Sequence, residues 1–407
     1  MFGAPLLVGG LAISVAAVPG LAGCSAASPT GSAPAQASQR VDSIVASETA
    51  KVPSGGAAAK IPGNAEPTVV RATKKPATSK IDKKVAGLSD RRLAAQVIFG
   101  CTDSANARAQ RNMASAGVGG IVLLGSRPPR SLKVQLRSVQ DAAPKGHRVY
   151  IASDEEGGTV QRLAPLIYRL PSAETMGQWS NRKVRKTAKK YAKRMNSLGV
   201  DISLAPVADL RVPGSYLDRL NRAFSSNPKR VGKKVNAWAS GTEKAGVTPV
   251  LKHWPGHGHA VDTHKYAARV PSLKKLRKAD LIPFDKAMAG DSARAVMVAH
   301  VQSKGLTRAG QPATQSKRAI RILRQQAGPD RVIMTDSLSM AAASSARGLS
   351  HPQAVVKALA AGVDWAMVCT NSIRSTITQV LKAIKQGDLS RSALRDSAKR
   401  ILEMDRR

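Results

Sequence analysis

Short apolar runs alternate with basic amphipathic stretches along the chain after residue 88. Eight of the runs have strand-type composition, and they cover residues 96–100, 119–125, 148–153, 200–205, 248–253, 295–300, 331–335 and 363–369. Helical periodicity falls between them, in stretches such as 181–198, 229–245, 272–289 and 351–361. This alternation is typical of βαβ units in an α/β fold with a parallel sheet. Eight runs predict a single (β/α)8 TIM-type barrel, with an open doubly wound sheet as the alternative.

The first 85 residues differ in composition from the rest of the chain. Residues 4–21 are small, apolar and uncharged, as in the central region of an export signal. They lead into the sequence LAGC at 21–24, which resembles the bacterial lipobox and implies that Cys24 is lipidated. The following residues are rich in Ala, Ser, Pro, Gly and Lys, which is typical of a disordered tether. The sequence therefore predicts a lipoprotein signal peptide over 1–23, a tether over 24–85 and the barrel over 86–407.

This N-terminus predicts an exported protein, lipid-anchored to the outer face of the cytoplasmic membrane in the cell envelope. An ordinary secretory signal with an incidental cysteine is the alternative. The formal net charge of +38 favours anionic surroundings, such as an anionic envelope polymer. No recognisable nucleic-acid-binding motif accompanies the charge, so nucleic acid is not expected as a partner. We expect a monomer.

Polar residues stand at the C-terminal ends of five predicted strands. They are Asp154, Asp209, His253, His300 and Asp336. In a parallel barrel this face carries the active site. Any one of the five could be a structural cap, but packing would place aliphatic residues at such positions. Together they predict a functional site.

The segment 253–264, HWPGHGHAVDTH, holds four histidines in a glycine-rich loop. Three interpretations fit it: a metal site, a general acid/base or a solvated loop. His257, His259 and His264 with Asp262 could ligate zinc, but their spacing lies in flexible backbone and the H-E-x-x-H pattern is absent. We therefore predict no metal. A histidine, with an ordinary pKa of about 6.5, suits proton transfer near neutral pH.

Six sequence blocks carry a family resemblance. In chain order they are SDEEGGTVQRL (153–163), LAPVADL (204–210), NRAFSSNP (221–228), KHWPGHGHAVDTH (252–264), VMVAHV (296–301) and VIMTDSLSM (332–340). The set resembles the single-barrel β-N-acetylhexosaminidases of glycoside hydrolase family 3. The resemblance implies a retaining hydrolase that removes terminal β-linked N-acetylglucosamine, with peptidoglycan fragments as substrate and no cofactor.

The resemblance also implies roles for individual residues. Asp336 corresponds to the nucleophile that forms a covalent glycosyl-enzyme. His264 corresponds to the acid/base, and Asp262 to the carboxylate that orients it and stabilises its cation. The implied sugar ligands are Asp154, Arg162, Arg222, Lys252 and His253.

Several positions in these blocks depart from the family pattern or stay without a role. The departures are Glu155 in place of the usual Gln, Trp254 for Phe, Thr263 for Ser, and Ser337 where an acidic residue often follows the nucleophile. Glu155 would add a negative charge near Asp154 and so alter the contacts expected of that residue. Within the loop, His257 is expected to shape the backbone, and no role is assigned to His259.

Other activities and a covalent cross-link stay open at this point. A phosphorylase or a β-glucosidase could use the same barrel. A non-catalytic wall-binding lipoprotein would need a damaged site, yet Asp262, His264 and Asp336 are all present. Cys101 and Cys369 end the first and eighth predicted strands, which are neighbours in a closed barrel, so a disulfide is geometrically possible.

Overall fold

Eight parallel strands form the central sheet of the computed structural model, which describes residues 79–290 and 292–404. The strands are β1 (Ile98–Asp103), β2 (Gly120–Leu124), β3 (Tyr150–Ser153), β4 (Ile202–Ser203), β5 (Thr248–Trp254), β6 (Ala295–Val298), β7 (Val332–Thr335) and β8 (Ala366–Cys369). Each lies within or close to an apolar run of the sequence. Their residues are almost entirely buried, as expected of strands covered on both faces.

The sheet closes into a barrel. Each strand pairs in parallel with its sequence neighbour from β1 to β7, and β1 also pairs with β8. A parallel bridge between Met334 and Trp365 joins β7 to the residue preceding β8. The amide of Leu338 also donates to the carbonyl of Met367 at 2.8 Å. The predicted (β/α)8 barrel is therefore confirmed, and the open doubly wound alternative is wrong.

Helices follow the strands in the order of a (β/α)8 fold. The α-helices span Lys80–Ala86, Asp90–Gln96, Ala107–Ala116, Leu132–Asp141, Ala173–Gly177, Asn181–Leu198, Tyr216–Arg219, Pro228–Glu243, Leu273–Lys278, Ile282–Met288, Lys317–Ala327, His351–Ala361, Ile373–Lys385 and Arg391–Glu403. Short 3-10 turns lie at Ala313–Gln315 and Ser345–Arg347. Many of the helices begin after a serine whose hydroxyl accepts a backbone N–H of the first turn, as Ser180 and Ser316 do.

Two smaller strand pairs and one aromatic stack complete the barrel. A hairpin of Glu155–Gly157 with Val160–Gln161 follows β3, and Ala268–Arg269 pairs with Val301–Gln302 beyond β5 and β6. Inside the barrel the ring of Phe99 stacks on Trp365 with centroids 4.2 Å apart. Gly120 permits this packing, because a Cβ there would lie 2.5 Å from the Phe99 ring.

The described part of the chain includes a helix that precedes residue 86. Helix Lys80–Ala86 starts inside the range predicted as tether, behind a capping box made by Ser79 and Asp82. Asp82 also pairs with Lys399 of the last helix at 2.7 Å, which ties this helix to the barrel. The tether prediction is therefore wrong for residues 79–85, where a serine-led turn and two apolar residues were too short to register as a helix. The signal peptide, Cys24 and the rest of the tether lie outside the described residues.

A disulfide joins Cys101, within β1, to Cys369 at the end of β8, with their Cα atoms 4.7 Å apart. The two residues are direct partners in the strand register. The cross-link that the sequence left open is therefore present. Among the described residues, no helix combines the length and apolar character needed to cross a membrane.

Candidate active site

A pocket of about 250 Å³ opens at the C-terminal ends of the barrel strands. Leu204, Met297 and Met367 contribute apolar surface to it. Its polar lining brings together seven of the residues named from the sequence: Asp154, Arg162, Arg222, Lys252, His253, His264 and Asp336. The eighth, Asp262, does not line the pocket but hydrogen-bonds to His264. Residues far apart in the chain thus converge because each lies at or beyond a strand end.

One side of the pocket is a cluster of alternating charges. Lys252 Nζ lies 2.7 Å from Asp154 Oδ1 and 2.7 Å from Glu156 Oε1. Arg222 binds Glu156 through two parallel contacts, Nε to Oε2 at 2.7 Å and Nη2 to Oε1 at 2.8 Å. Arg162 approaches Asp154 at 3.8 Å. Such bidentate, charge-assisted pairs hold their side chains in one geometry.

Glu156 is the central member of this cluster, and the sequence did not identify it. Its side chain is almost fully buried, and burial raises its pKa, but Arg222 and Lys252 outweigh that effect and hold the pKa well below the usual range. Burial alone would lower the pKa of Lys252. The neighbouring carboxylates of Asp154 and Glu156 outweigh burial, so the pKa is raised overall. Glu156 occurs in the hairpin after β3, where alternate side chains point to opposite faces. Glu156 is two residues after Asp154 and therefore falls on the same face. This alternation is the signal in the sequence that could have identified Glu156.

Glu155 lies on the other side of the same hairpin, away from the pocket. It is fully buried and accepts hydrogen bonds from Ser153 Oγ at 2.6 Å, the Leu163 amide at 3.1 Å and Tyr191 Oη at 2.6 Å. These donors are neutral. Burial therefore raises the pKa of Glu155 to about 7, although the hydrogen bonds oppose the rise. The extra charge expected near Asp154 points into the protein instead of the pocket.

His253 is oriented by Asp209, a buried carboxylate behind the pocket. Asp209 Oδ2 lies 2.6 Å from His253 Nδ1, and the amides of His253 and His257 both donate to the same carboxylate. Burial raises the pKa of Asp209, but His253 outweighs it and lowers the pKa overall. The strand-end aspartate thus acts through His253 and contributes no surface to the pocket lining. The other ring nitrogen of His253, Nε2, is left for a ligand.

Asp336 follows β7 and is partly buried. Its Oδ1 accepts the Ser337 amide at 2.8 Å. Burial raises its pKa, but the His253 and His300 imidazoles, the Ser337 amide and the Lys252 ammonium outweigh burial and hold the pKa at about 2. The carboxylate is therefore ionised across the neutral range, as a nucleophile or an electrostatic stabiliser must be.

His300 supports the segment that carries Asp336. The imidazole is buried, with Nε2 2.8 Å from the carbonyl of Ser337 and Nδ1 2.9 Å from Thr314 Oγ1. Burial lowers its pKa, so the neutral form is favoured. His300 was expected at a strand end of the site, and the structure places it beneath the turn after Asp336 and outside the pocket lining.

The histidine loop covers one edge of the pocket. His264 Nδ1 lies 2.7 Å from Asp262 Oδ1, and 58 % of the His264 side chain is exposed, so its Nε2 can be reached by a ligand. The loop is held over the site by two backbone bonds, from the amides of Ala341 and Ala342 to the carbonyls of His264 and Thr263. Because residues 341–342 follow Asp336 closely, these bonds bring the loop to the strand end that carries this aspartate.

His257 and His259 have different surroundings within the loop. His257 lines the pocket, and its Nε2 lies 3.0 Å from Thr263 Oγ1. Burial and the neighbouring His253 lower the pKa of His257 to about 4, so it is neutral near pH 7. His259 Nε2 lies 3.5 Å from Asp280 Oδ1 and does not line the pocket. In the part of the chain that the structure describes, no group of three or more His, Cys, Asp or Glu residues has the geometry of a metal site.

Comparison with known proteins fits this geometry. The model of the "Glycosyl hydrolase family 3 N terminal domain" matches residues 80–404. The chain belongs to glycosyl hydrolase family 3. It is 34% identical over 323 residues to Beta-hexosaminidase LpqI of Mycobacterium tuberculosis, covering 77% of this chain and 81% of the relative. It is also 34% identical over 267 residues to Beta-hexosaminidase of Stenotrophomonas maltophilia, covering 63% of this chain and 76% of the relative.

Solved structures of family 3 proteins resemble the barrel. A glycosyl hydrolase of family 3 from Mycobacterium smegmatis has a TM-score of 0.70 and 34% identity, covering 78% of this chain and 97% of that one. M. tuberculosis LpqI has a TM-score of 0.72 and 32% identity, covering 80% and 96%. The family 3 β-N-acetylglucosaminidase from Paenibacillus has a TM-score of 0.72 and 27% identity, covering 78% and 62%.

Proposed function

We propose that this family 3 protein is a retaining exo-β-N-acetylglucosaminidase that releases terminal β-linked N-acetylglucosamine. The observation that carries the proposal is one pocket containing an ionised aspartate, Asp336, and an exposed histidine, His264, that is paired with a carboxylate. The relatives named β-hexosaminidase and β-N-acetylglucosaminidase support the sugar specificity. Peptidoglycan fragments are the substrate that we propose.

In the first step, Asp336 attacks the anomeric carbon while His264 Nε2 gives its proton to the departing glycosidic oxygen. The C–O bond to the aglycone breaks as the bond from the carboxylate oxygen forms. Asp262 accepts a hydrogen bond from His264 Nδ1 and stabilises the imidazolium before the transfer. Burial raises the pKa of Asp262, but its bonds from His264 lower it, so the carboxylate stays charged for this role.

In the second step, water attacks the anomeric carbon of the glycosyl-enzyme and His264 Nε2 accepts the proton of that water. The bond to Asp336 breaks, and the free sugar leaves with its original anomeric configuration. Two displacements at the same carbon give this retention. One histidine can serve as acid and then as base because its ordinary pKa lies near the working pH.

The charged cluster supports recognition of one sugar ring. Asp154, Arg162, Arg222, Lys252 and His253 offer both donors and acceptors to ring hydroxyls, and Glu156 holds two of the cations in position. Buried charged groups of this kind reject sugars that lack the matching hydroxyl. The volume of about 250 Å³ is at the small end for ligand pockets, which supports cleavage at a chain end.

We also propose that the chain is an envelope lipoprotein, with a signal peptide over 1–23, lipidation at Cys24 and a tether that reaches the barrel near residue 79. The basis is the sequence LAGC at 21–24 and the composition that follows it. Carbohydrate is the proposed substrate class, and anionic envelope polymer is a proposed partner because of the charge of +38.

The test compares Asp336→Asn, His264→Ala and the loop control His259→Ala. We expect Asp336→Asn to lower kcat/KM at least ~1000-fold, as loss of a nucleophile does. His264→Ala should lower it ~100-fold or more on a sugar aglycone and less on an aryl aglycone, because a good leaving group needs less protonation. His259→Ala should stay within about twofold. Rates in both site variants like those of the unsubstituted protein would contradict the proposal.

Two further arms separate the other activities. Product is measured with and without inorganic phosphate, and with glucoside beside N-acetylglucosaminide. We expect free N-acetylglucosamine at the same rate in both buffers and little glucose. A sugar 1-phosphate as the main product would indicate a phosphorylase, and faster glucoside turnover would indicate a β-glucosidase.

A further inference from the structure

A second cavity, about 920 Å³ in volume, shares no lining residue with the active-site pocket. Its walls come from the loop after β6, the start of helix Lys317–Ala327, the turn at Arg347 and the end of helix His351–Ala361. It is larger than the active-site pocket. Because its residues lie outside the catalytic machinery, it can be altered without touching Asp336 or His264.

All the charged residues that line this cavity are cations. Its cations are Arg308, Lys317, Arg318, Arg321, Arg347 and Lys357, and no aspartate or glutamate occurs among its lining residues. None of the six forms an ion pair with a carboxylate in the described residues 79–290 and 292–404. Six like charges around one concavity repel one another, and an anion within it would relieve that repulsion.

Two buried polar groups of the cavity lack a partner within the described part of the chain. The Nε of Arg347 is buried without a hydrogen-bond acceptor. Gln315 is 5 % exposed; its amide nitrogen donates to the Ala343 carbonyl at 2.8 Å, but its Oε1 accepts nothing. An unmet donor and an unmet acceptor that belong to the lining of the same cavity each cost free energy unless a ligand satisfies them.

The start of helix Lys317–Ala327 adds to the attraction for anions. Ser316 caps it by accepting the Ala319 amide, and both Ser316 and Lys317 line the cavity. The positive end of the helix dipole therefore faces the same space as the six cations.

A smaller cavity of about 340 Å³ adjoins the first and shares Gly305, Thr307 and Arg308 with it. It adds Arg269 and Lys304, and again its described lining contains no acidic residue. The two cavities form one groove. Its positive charge extends over a larger space than a single phosphate would fill.

We propose that this groove binds a phosphorylated polyol, with Arg347 and the other cations holding its phosphates and Gln315 accepting one of its hydroxyls. A guanidinium offers parallel donors that match phosphate oxygens. A bare phosphate would leave Gln315 Oε1 without a donor, whereas a polyol phosphate supplies one. The second cavity accommodates a further phosphate, so a polyol phosphodiester chain fits better than a monomer.

The test measures fluorescence anisotropy of an end-labelled oligo(glycerol phosphate) with the full-length protein at ~0.15 M salt. We expect saturable binding with a Kd below about 1 mM. Arg347→Gln, and separately the pair Arg321→Gln with Lys357→Gln, should weaken it at least ~10-fold, as loss of charge-assisted hydrogen bonds does. Arg321 and Lys357 are exposed, so the fold should tolerate their replacement. Glycoside hydrolysis should be unchanged in all of these variants.

The matched control removes two exposed cations, Lys186→Gln with Lys189→Gln, from helix Asn181–Leu198. This control lowers the net charge by the same amount as the pair Arg321→Gln with Lys357→Gln. It should alter the Kd less than about twofold. An equal loss in the control, or no saturable binding, would overturn the proposal. Competition by glycerol phosphate and by inorganic phosphate tests the hydroxyl contact, and equal competition would overturn the role of Gln315. Stronger competition by the oligomer than by the monomer would support a chain as the ligand.

Discussion

Two adjacent glutamates show how neighbours set the state of a side chain. Glu155 and Glu156 are both buried, yet the pKa of Glu155 is about 7 and that of Glu156 is held well below the usual range. Burial raises both values. Among the residues that the structure describes, only Glu156 of the two has cations within contact distance, Arg222 and Lys252, and these reverse the effect of burial. The pocket therefore receives a fixed anion, while Glu155 remains buried and hydrogen-bonded away from the pocket.

The raised pKa of Glu155 predicts that the free energy of unfolding depends on pH. The unfolded chain releases this proton near the ordinary glutamate pKa of 4.5, whereas burial raises the pKa in the folded chain to about 7. Between these values the unfolded state binds fewer protons, so stability falls as pH rises. The shift corresponds to a loss on the order of 3 kcal/mol by pH 8.

Glu155→Gln removes the titration and should remove that loss. Urea unfolding of both proteins at pH 5 and pH 8 gives the measurement, and the stability of the variant relative to the parent should rise by about 2.5 kcal/mol over this interval. The difference between the two pH values cancels any constant cost of replacing the carboxyl in its network with Ser153 and Tyr191. A gap between the proteins that does not change with pH would show that Glu155 is already ionised at pH 5.

At the scale of elements, strands and strand-end residues could be predicted because a buried parallel strand leaves a nearly continuous apolar run. The exact ends of helices and the presence of the short hairpin could not, because neither leaves a long apolar pattern. Glu156 reaches the pocket through the hairpin Glu155–Gly157, and its alternation with Asp154, not the local composition, is what separates it from Glu155. The stretch 272–289 divides into Leu273–Lys278 and Ile282–Met288, with Pro283 in the first turn of the second helix.

The loop 253–264 was predicted to carry site residues because of its histidines and the family resemblance, but the position of the loop over the pocket depends on distant residues. The bonds from Ala341 and Ala342 to its backbone join two segments that are far apart in sequence. The contact of His257 with Thr263 is the side-chain element that shapes the loop next to His264. These interactions exist only after the barrel has formed, so no local sequence pattern predicts them.

Thr263→Val tests whether that contact positions His264. Valine keeps the β-branched shape but removes the hydroxyl, and loss of one such hydrogen bond should lower kcat/KM about 2- to 10-fold. The decrease should be larger with a sugar aglycone than with an activated aryl aglycone, because only the former depends strongly on proton donation. Thr263→Ser is the matched control and should retain the parent rates. Equal decreases on both substrates would assign Thr263 a structural role only.

At the scale of the whole molecule, the barrel is closed where its ends meet. β1 pairs with β8, Phe99 stacks on Trp365, and the disulfide Cys101–Cys369 links the same two strands. Cys369 also lies near the site, since Ser337 Oγ is 3.3 Å from its sulfur. The seam of the barrel is thus continuous with the turn that follows Asp336.

The cross-link predicts a stability effect that acts mainly on the unfolded chain. It joins residues 268 positions apart, so it removes many conformations from the unfolded state. The double variant Cys101→Ser with Cys369→Ser should lose about 2–5 kcal/mol of unfolding free energy and retain hydrolysis at 25 °C. Reductant should lower the Tm of the parent and leave that of the variant unchanged. A parent Tm that does not respond to reductant would contradict a stabilising cross-link.

The urea dependence of unfolding, compared between the parent and the double variant, shows whether the disulfide acts on the unfolded or on the folded state. A cross-linked unfolded chain is more compact and exposes less surface, so the slope of unfolding free energy against urea should be smaller in the parent than in the double variant. The folded barrel keeps the β1–β8 pairing in both proteins, so its surface contributes no difference. If stability falls while the slope stays the same, the disulfide acts instead by holding the folded seam together, and the loss should then appear in a faster unfolding rate.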